Sequence, residues 1–422
     1  MTSDFIAGWR QVVIGFLFLA AAGMIASTYS LIAVPLAEEF KPSRTVLALS
    51  MTVMSGVCVI LSPILGNLMD RTSLKRLMIG GGLLLAAGYA AISFATTFIQ
   101  VLIVFGLLIA PANVLIGPVG VTVLLTRWFS KKRGRAMGIA IAGIAFGGFA
   151  FSAIIQGLLD THQWREALRL LSLVLLFWTV PAAFLIIERP SDRGLHPDGA
   201  REPPEELKEE LSRAPVTVRD VLTDPAFWMI AIAVATVTAG MKGMITNLAP
   251  LAIDNGVKAS DAASLIQVYT ACGFVAKLFF AWLADKLGPR VLMFTSLGGF
   301  GLGMATLGFG AASGFNGIML GVGLIGLFGG MMVPIESYLA PRVFGARVVG
   351  RAIGLLAGTI LIALLLSPLV FGLIFDLTGS YRGILWTFSG MAFVALLIVP
   401  LIRLHPRSVA KAGPAVPALA TK

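Results

Sequence analysis

Apolar residues in this chain are gathered into long stretches separated by short polar segments. A helix needs about 20 apolar residues to cross the hydrocarbon core of a bilayer. Stretches of that kind lie at approximately 11–34, 44–67, 76–98, 99–126, 134–158, 166–187, 225–252, 261–284, 290–311, 314–337, 350–374 and 383–403. The pattern predicts an all-α membrane protein with twelve transmembrane helices.

A polar segment at 188–224, with five prolines and many charged residues, divides the twelve stretches into six and six. It predicts an N-terminal six-helix bundle over 1–187, a cytoplasmic linker over 188–224 and a C-terminal six-helix bundle over 225–405. Residues 406–422 are then a cytoplasmic tail.

The two sets of six are related in sequence. The loop 66–71, which contains Asp70, is matched by 281–286, which contains Asp285, and Arg135-Ala136-Met137-Gly138 is matched by Arg351-Ala352-Ile353-Gly354 at almost the same offset. Such repeats predict two pseudo-symmetric bundles with a substrate site between them near the membrane midplane. Alternating access by rocking of the halves is the mechanism that follows.

Composition agrees with a lipid environment. Hydrophobic residues make up 57% of the chain and charged residues 13%, with a mean hydropathy of +0.92, whereas soluble domains are nearer about 45–50% apolar. The net charge of +11 predicts no nucleic-acid partner, because most basic residues fall on the loops of one side. By the positive-inside rule, both termini are cytoplasmic in an integral protein of the plasma (inner) membrane.

No enzyme chemistry is indicated. Cys58 and Cys272 lie within apolar stretches, and His162, His196 and His405 are far apart in sequence. We therefore expect no metal, no cofactor and no catalytic residues, and a monomeric functional unit.

The stretch Gly66-x-x-x-Asp70-Arg71 with Lys75-Arg76 resembles the loop signature of the major facilitator superfamily, and Asp285 with Arg290 resembles its second copy. In that family the acidic residue pairs with a basic residue and a neighbouring helix end. The resemblance implies a gating motif made of Gly66, Asp70, Arg71, Arg76, Asp285 and Arg290. A charged loop that only obeys the positive-inside rule is the alternative.

Three further stretches resemble the monocarboxylate transporter and oxalate/formate antiporter branch of that superfamily. They are Arg127 to Ala140, Arg189-Pro190 followed by Gly194 to Gly199, and Asn247-x-x-Pro250-x-x-x-Asp254-x-Gly256. The resemblance implies a major facilitator fold and a small carboxylate as substrate.

Two lysines lie inside predicted spans, where a cation costs roughly 2.5–3.5 kcal/mol and usually has a function. Lys277 occupies a position that is normally Arg in the branch, so the resemblance implies that it binds the substrate carboxylate, although Lys offers a point charge rather than a bidentate fork. A structural ion pair is its alternative. Lys242 forms a polar stripe with Thr238 and Thr246, and either faces the cavity or snorkels to the interface.

Four further polar residues complete the predicted substrate site, namely Tyr269, Asn247, Tyr29 and Asn113. Tyr269 is otherwise an interfacial anchor, and the other three are otherwise interhelical hydrogen-bonding residues. Glu336 is expected in a gate or loop ion pair, with proton carriage as the alternative.

The predicted function is secondary active or facilitative transport of small organic anions, foremost monocarboxylates. A dicarboxylate or anion exchanger and an efflux pump for amphipathic or aromatic compounds stay open as alternatives, as does a receptor without flux. Related proton-coupled carriers have an acid one turn before the helix-eight base, where this chain has Gly273. Protons or a counter-transported anion therefore both stay open as coupling partners, beside the lipid bilayer.

Overall fold

The computed structural model describes residues 3–42, 44–199, 217–310, 314–345 and 348–402. The predicted tail over 406–422 and much of the predicted linker, 200–216, lie outside the described residues.

Twelve helices within the described residues are long and apolar enough to cross a membrane, which confirms the predicted fold class. In the first half they are α1 Ser3–Phe40, α2 Arg44–Arg71, α3 Leu74–Ser93, α4 Phe98–Trp128, α5 Arg133–Thr161 and α6 Trp164–Phe184. In the second half they are α7 Pro225–Thr246, α8 Ala259–Leu283, α9 Pro289–Gly310, α10 Gly314–Phe344, α11 Val349–Thr378 and α12 Arg382–Ile398. Helix α1 extends well beyond its predicted apolar stretch, because helical residues continue past the hydrocarbon core at both ends.

The packing of the helices repeats between the halves. Helix α1 packs along α5 and α3 along α6, and in the second half α7 packs along α11 and α9 along α12. The halves meet through α2 against α11 and α5 against α8, two contacts that the repeat makes equivalent. The structure therefore has the two pseudo-symmetric six-helix bundles that the repeat predicts.

Close packing within the first half depends on glycine. A Cβ atom on Gly147 of α5 would lie only 1.9 Å from the carbonyl oxygen of Ala20 on α1, so no larger residue fits without a shift of the helices. Small residues allow this approach in lipid, where no hydrophobic effect drives helices together.

Helices α4 and α10 each contain one π-helical turn, at Phe105–Ile109 and Ile325–Gly329. Such turns disturb the regular hydrogen-bond ladder and are frequent at functional sites. In the second half, α8 lies directly on this turn, since a Cβ atom on Gly326 would be 2.7 Å from the carbonyl oxygen of Tyr269. The π turn of α10 therefore packs on the part of α8 that precedes Lys277.

Candidate substrate cavity and gate

We use the term latch end for the end of the molecule that carries the α2–α3 and α8–α9 connections, and distal end for the other. At the latch end, the Asp70 carboxylate of α2 caps the first turn of α11. The backbone N–H groups of Gly350 and Arg351 donate to it at 3.0 and 2.8 Å. A helix N-terminus carries a partial positive charge and free N–H groups, so the carboxylate holds the second half against the first.

The side chain of Arg351 strengthens the same contact. Its Nε and Nη2 atoms donate to the Asn67 amide oxygen at 3.0 and 2.7 Å. Gly66 lets the backbones approach, because a Cβ atom there would lie 2.2 Å from the carbonyl oxygen of Gly350. The segment 66–70 therefore joins α2 to the start of α11, and we call this contact the first latch.

The second latch joins α8 to α5. The backbone N–H of Arg135 donates to the Asp285 carboxylate at 3.3 Å, and the Tyr338 hydroxyl of α10 donates to the carbonyl of Ala284 at 2.8 Å. Burial raises the pKa of Asp285 and nearby Asp198 adds to the rise, against the N–H of Arg135 and the charges of Arg135 and Arg342.

Within the described residues, three basic residues of the predicted gating motif form no hydrogen bond or ion pair between the two halves. Arg71 and Arg76 are exposed, and the backbone N–H of Arg76 only donates to the Ser73 hydroxyl that caps α3. Arg290 donates to the carbonyl of Ile402, which ties the start of α9 to the segment after α12. The basic partner of the first latch is instead Arg351.

The segment 187–199 lies against the first half at the latch end. The Asp198 carboxylate accepts the backbone N–H groups of Ser130, Lys131 and Lys132 at 2.9, 2.7 and 3.2 Å, in the connection that leads into α5. Glu188 accepts the backbone N–H of Lys75 at 3.2 Å. In the sequence, this segment is marked by the resemblance of 189–199 to the linker of related carriers. That resemblance does not predict which part of the protein the segment contacts.

Lys277 lies next to the second latch, toward the distal end. Ala281, one turn further along α8, packs on Gly138 of α5, and Ala276 packs on α10. Because successive residues are rotated by about 100°, the Lys277 side chain starts between the faces that meet α5 and α10. It therefore emerges where the contact between the halves ends.

No carboxylate partners Lys277 within the described part of the chain. Its ammonium donates to the carbonyl of Gly273, one turn earlier on its own helix, at 2.9 Å. A structural ion pair, the alternative considered from sequence, is therefore not formed there. The ammonium keeps two further N–H donors for an anion.

Lys242 is exposed on α7, and its neighbours show which way it points. Gly240 packs against α9 and α12, Met241 against α10, and Gly243 against α11. At about 100° per residue, the Lys242 side chain leaves α7 between its contacts with α10 and α11, opposite α9 and α12. That side of α7 faces the first half.

Helix α10 brings the two lysines to a similar depth. Met241 of α7 contacts Gly329, and Gly273 and Ala276 of α8 contact Gly330, the next residue of α10. Lys242 and Lys277 therefore lie on either side of α10, and both are on the side of the second half that faces the first half. Two cations thus lie in one region that no acid neutralises among the described ion pairs.

The other predicted site residues divide by what their polar atoms bind. The Tyr29 hydroxyl donates to the carbonyl of Leu47 on α2, and the Asn247 amide donates to the carbonyl of Gly243 at 2.8 Å. Among the described residues, the Asn113 amide donates to the Cys58 sulfur alone, at 3.8 Å, and Asn113 is half-buried. Tyr269 is half-buried on α8. Asn113 and Tyr269 therefore have more free hydrogen-bonding capacity than Tyr29 and Asn247.

A cavity of about 410 Å³ lies at the distal end of the first half, between α1, α5 and the start of α6. It is lined by Ser30, Leu31, Val34, Pro35, Gln156, Leu159, His162 and Trp164. None of the predicted substrate-binding residues lies in this lining. The two lysines inside the spans, Lys242 and Lys277, lie instead beside α10, on the side of the second half that faces the first half.

The family model described as Major Facilitator Superfamily matches residues 13–254 and 230–421. The chain is 28% identical to human monocarboxylate transporter 11 over 382 residues, covering 89% of this chain and 78% of that protein. It is 25% identical to rat monocarboxylate transporter 13 over 378 residues, covering 89% and 84%.

Among solved structures, the fold is similar to that of the E. coli fucose:proton symporter, with a TM-score of 0.71, 16% identity and coverage of 95% of this chain and 100% of that one. The human organic anion transporter MFSD10 has the same fold, with a TM-score of 0.70, 14% identity and coverage of 94% and 100%.

Proposed function

Because the chain belongs to the Major Facilitator Superfamily, a family of membrane transporters, we propose that it carries small organic anions, foremost monocarboxylates, by alternating access. The observation that carries the proposal is Lys277, a cation inside the membrane-spanning part of α8 with no acidic partner among the described residues. An unpaired intramembrane cation is costly unless a ligand uses it. Similarity to proteins named monocarboxylate transporters supports a carboxylate as that ligand.

We propose that the latch end is cytoplasmic. At that end, Lys75 and Arg76 lie in the first turn of α3, and Lys131, Lys132 and Arg133 lie between the end of α4 and the start of α5. Basic residues at the ends of spans stay on the cytoplasmic side. On this assignment the two latches close the cytoplasmic side, and Lys277 lies on the outer side of the second latch.

A dicarboxylate or anion exchanger is the second candidate, and Lys242 is the observation that favours it. It flanks α10 at a depth similar to that of Lys277, so a substrate with two carboxylates would contact both cations. A monocarboxylate would leave Lys242 unpaired. The two candidates therefore differ in what loss of Lys242 does.

The test is uptake of labelled lactate, benzoate, oxalate and malonate into proteoliposomes that contain the purified full-length protein. For a monocarboxylate carrier we expect Lys277→Ala to lower uptake by about tenfold to a hundredfold, the equivalent of a charge-assisted hydrogen bond of about 1.5–3 kcal/mol. Lys277→Arg should keep part of the activity, since it keeps the charge. Lys258→Ala, an exposed lysine before α8, is the matched control and should transport normally.

The Lys242→Ala variant separates the two candidates. A selective loss of oxalate or malonate transport, with lactate and benzoate unchanged, would establish the dicarboxylate exchanger. Normal uptake of every probe by Lys277→Ala would refute the anchor role of Lys277. If the wild-type protein transports none of the four acids but protects cells against amphipathic compounds, efflux is the function.

A further inference from the structure

Residues 187–199, which follow α6, cross the latch end of the first half, and we call this segment the strap. The backbone N–H of Ile187 donates to the Gln11 amide oxygen of α1 at 3.2 Å, and its carbonyl accepts the Trp128 indole N–H of α4 at 2.8 Å. The Glu188 carboxylate accepts a backbone N–H in the first turn of α3 at 3.2 Å. The strap is therefore bonded to α1, α3 and α4 before it reaches α5.

Asp198 brings the strap to the start of α5. Its carboxylate accepts the backbone N–H groups of three successive residues, 130–132, at 2.9, 2.7 and 3.2 Å. The backbone of Asp198 has a φ of 62°, in the left-handed region that Asp adopts more readily than most residues. The turn 197–199 packs on α1 and α4. Residues of its own half therefore hold this carboxylate against the N-terminal end of α5.

Asp285, which belongs to the second half, binds the same end of α5. It accepts the backbone N–H of Arg135, three residues after the last N–H that Asp198 holds. Three residues correspond to about 4.5 Å along a helix. A helix N-terminus attracts carboxylates through its free N–H groups and its partial positive charge. Two carboxylates of like charge therefore share the attraction of one helix end.

Charged side chains around the second latch act on Asp285 in both directions. Burial raises its pKa most and Asp198 adds to the rise, whereas the N–H of Arg135 and the charges of Arg135 and Arg342 lower it. Glu336 of α10 forms no ion pair among the described residues, so the gate or loop ion pair expected for it from the sequence is not found there. Asp198 is thus the described acid whose charge opposes that of Asp285.

The two carboxylates belong to different halves, which matters when the latches part. Asp285 then leaves the start of α5 with the second half, whereas the three hydrogen bonds of Asp198 are made within the first half. At the first latch, by contrast, the N–H groups of Gly350 and Arg351 both donate to Asp70 of the other half. Separation of the halves therefore costs the start of α11 two bonds, while the start of α5 keeps a carboxylate.

We infer that Asp198 is a positioning residue of the gate, which stays on the N-terminus of α5 in both states and thereby weakens the hold of Asp285. This role assumes the alternating access of the proposed function, whichever acid the protein carries. In the closed form the two carboxylates repel each other, and in the open form Asp198 alone occupies the helix end. Its charge therefore favours opening at the latch end.

The test measures how fast a membrane-impermeant thiol reagent reacts with a cysteine introduced at Val349, a buried residue at the start of α11. The full-length protein is used in proteoliposomes, with Cys58 and Cys272 replaced by serine. Asp198→Asn keeps an oxygen acceptor for the three N–H groups and removes the charge. We expect the closed form to gain, so that the rate falls by about twofold to fivefold, the range for exposed charge pairs.

Salt and a matched variant show whether the charge is responsible. The fall should shrink at about 1 M salt, where the screening length is about 3 Å. Asp192→Asn is the control, because Asp192 lies in the same strap but accepts the backbone N–H of Arg189, at 3.0 Å. This control should react at the rate of the protein with an unchanged strap.

Coupling to Asp285 separates charge repulsion from a purely structural role of the strap. When Asp285→Asn is already present, Asp198→Asn should leave the rate nearly unchanged, because the second charge is gone. A faster reaction in Asp198→Asn, an unchanged rate, or an equal fall with and without Asp285→Asn would overturn the inference. If Asp198→Asn does not fold, Asp198→Gly, which tolerates the left-handed backbone, is judged by the same outcomes.

The thiol rates are measured without any substrate, so they are independent of which acid is transported. A wild-type protein that takes up none of the four labelled acids would contradict the proposed substrate class. The role of Asp198 would still be decided by the thiol rates.

Discussion

The two latches occupy equivalent places in the repeat but are built with different strength. In the first, Asp70 accepts two backbone N–H groups at 3.0 and 2.8 Å, and Arg351 adds two bonds to Asn67. In the second, Asp285 accepts one N–H at 3.3 Å. Two aspartates in equivalent positions of the repeat therefore hold the halves together with unequal strength.

The difference follows from the small residues beside each acid. Gly66 brings the α2 backbone against the carbonyl of Gly350, so the Asp70 carboxylate reaches both N–H groups of the first turn of α11. The matching position in the second latch is Ala281, whose Cβ already lies against Gly138. The Tyr338 hydroxyl bonds to Ala284 within the second half and adds no hydrogen bond between the halves. We infer that α2–α11 is the tighter contact and α5–α8 the one that releases first.

The largest effect is expected from Gly66→Val. Its Cβ would lie 2.2 Å from the Gly350 carbonyl oxygen, so α2 must move away from α11 and the first latch is lost. We expect transport in proteoliposomes to fall by at least about tenfold, since overpacking typically costs about 1–3 kcal/mol. Gly80→Val on α3 is the matched control, because a Cβ atom there meets nothing within 4 Å. Normal transport by Gly66→Val would show that the first latch is not tight.

The next effect is expected from Asp70→Asn, which removes the negative charge at the start of α11. Loss of charge-assisted hydrogen bonds costs about 1.5–3 kcal/mol, so the equilibrium should shift by about tenfold or more toward the form open at the latch end. The measurement is the rate at which a cysteine introduced at Val349, a buried residue at the start of α11 whose side chain makes none of the latch hydrogen bonds, reacts with a membrane-impermeant thiol reagent. An unchanged rate would mean that Asp70 does not hold the closed form.

A smaller effect is expected from Asp285→Ala in the same assay, because this exposed acid accepts one long hydrogen bond that alanine cannot accept. A shift of about twofold to tenfold corresponds to a net hydrogen bond of about 0.5–1.5 kcal/mol. If Asp285→Ala opens the latch end more than Asp70→Asn does, the order of the two latches is the reverse of the one inferred here.

The pH dependence of opening at the latch end tests the second latch. Burial raises the pKa of Asp285 in the closed form, so that form holds the proton more tightly than an open form in which the carboxyl meets water. Lowering the pH at the latch end through this pKa should therefore favour the closed form. Reactivity of the cysteine at position 349 should fall on acidification when Asp285 is present and change less in Asp285→Asn. A rise on acidification would contradict the sign.

The smallest effect is expected from Arg71→Ala. Its side chain is exposed in the last turn of α2, and surface substitutions usually change stability by less than about 0.5 kcal/mol. Transport should stay within about twofold of wild type, whereas Arg351→Ala should open the first latch measurably. Equal losses in the two variants would restore Arg71 to the gating role that the resemblance implies.

The sequence by itself determined the number of spans, the duplication and the latching acids. Twelve apolar stretches are a composition signal that lipid imposes on every spanning helix. Asp70 and Asp285 were found because the repeat places them at matching helix ends, and Lys277 because a cation in an apolar stretch is rare.

Only the tertiary structure decided which way the polar side chains point and what they bind. In a membrane protein both the lipid face and the packed face of a helix are apolar, so hydropathy does not reveal the direction of Lys242. The bond of Tyr29 to Leu47 and the choice of Arg351 over Arg71 depend on contacts between helices distant in sequence. Those contacts are set by where glycines let two backbones meet, a property of pairs of helices rather than of one segment.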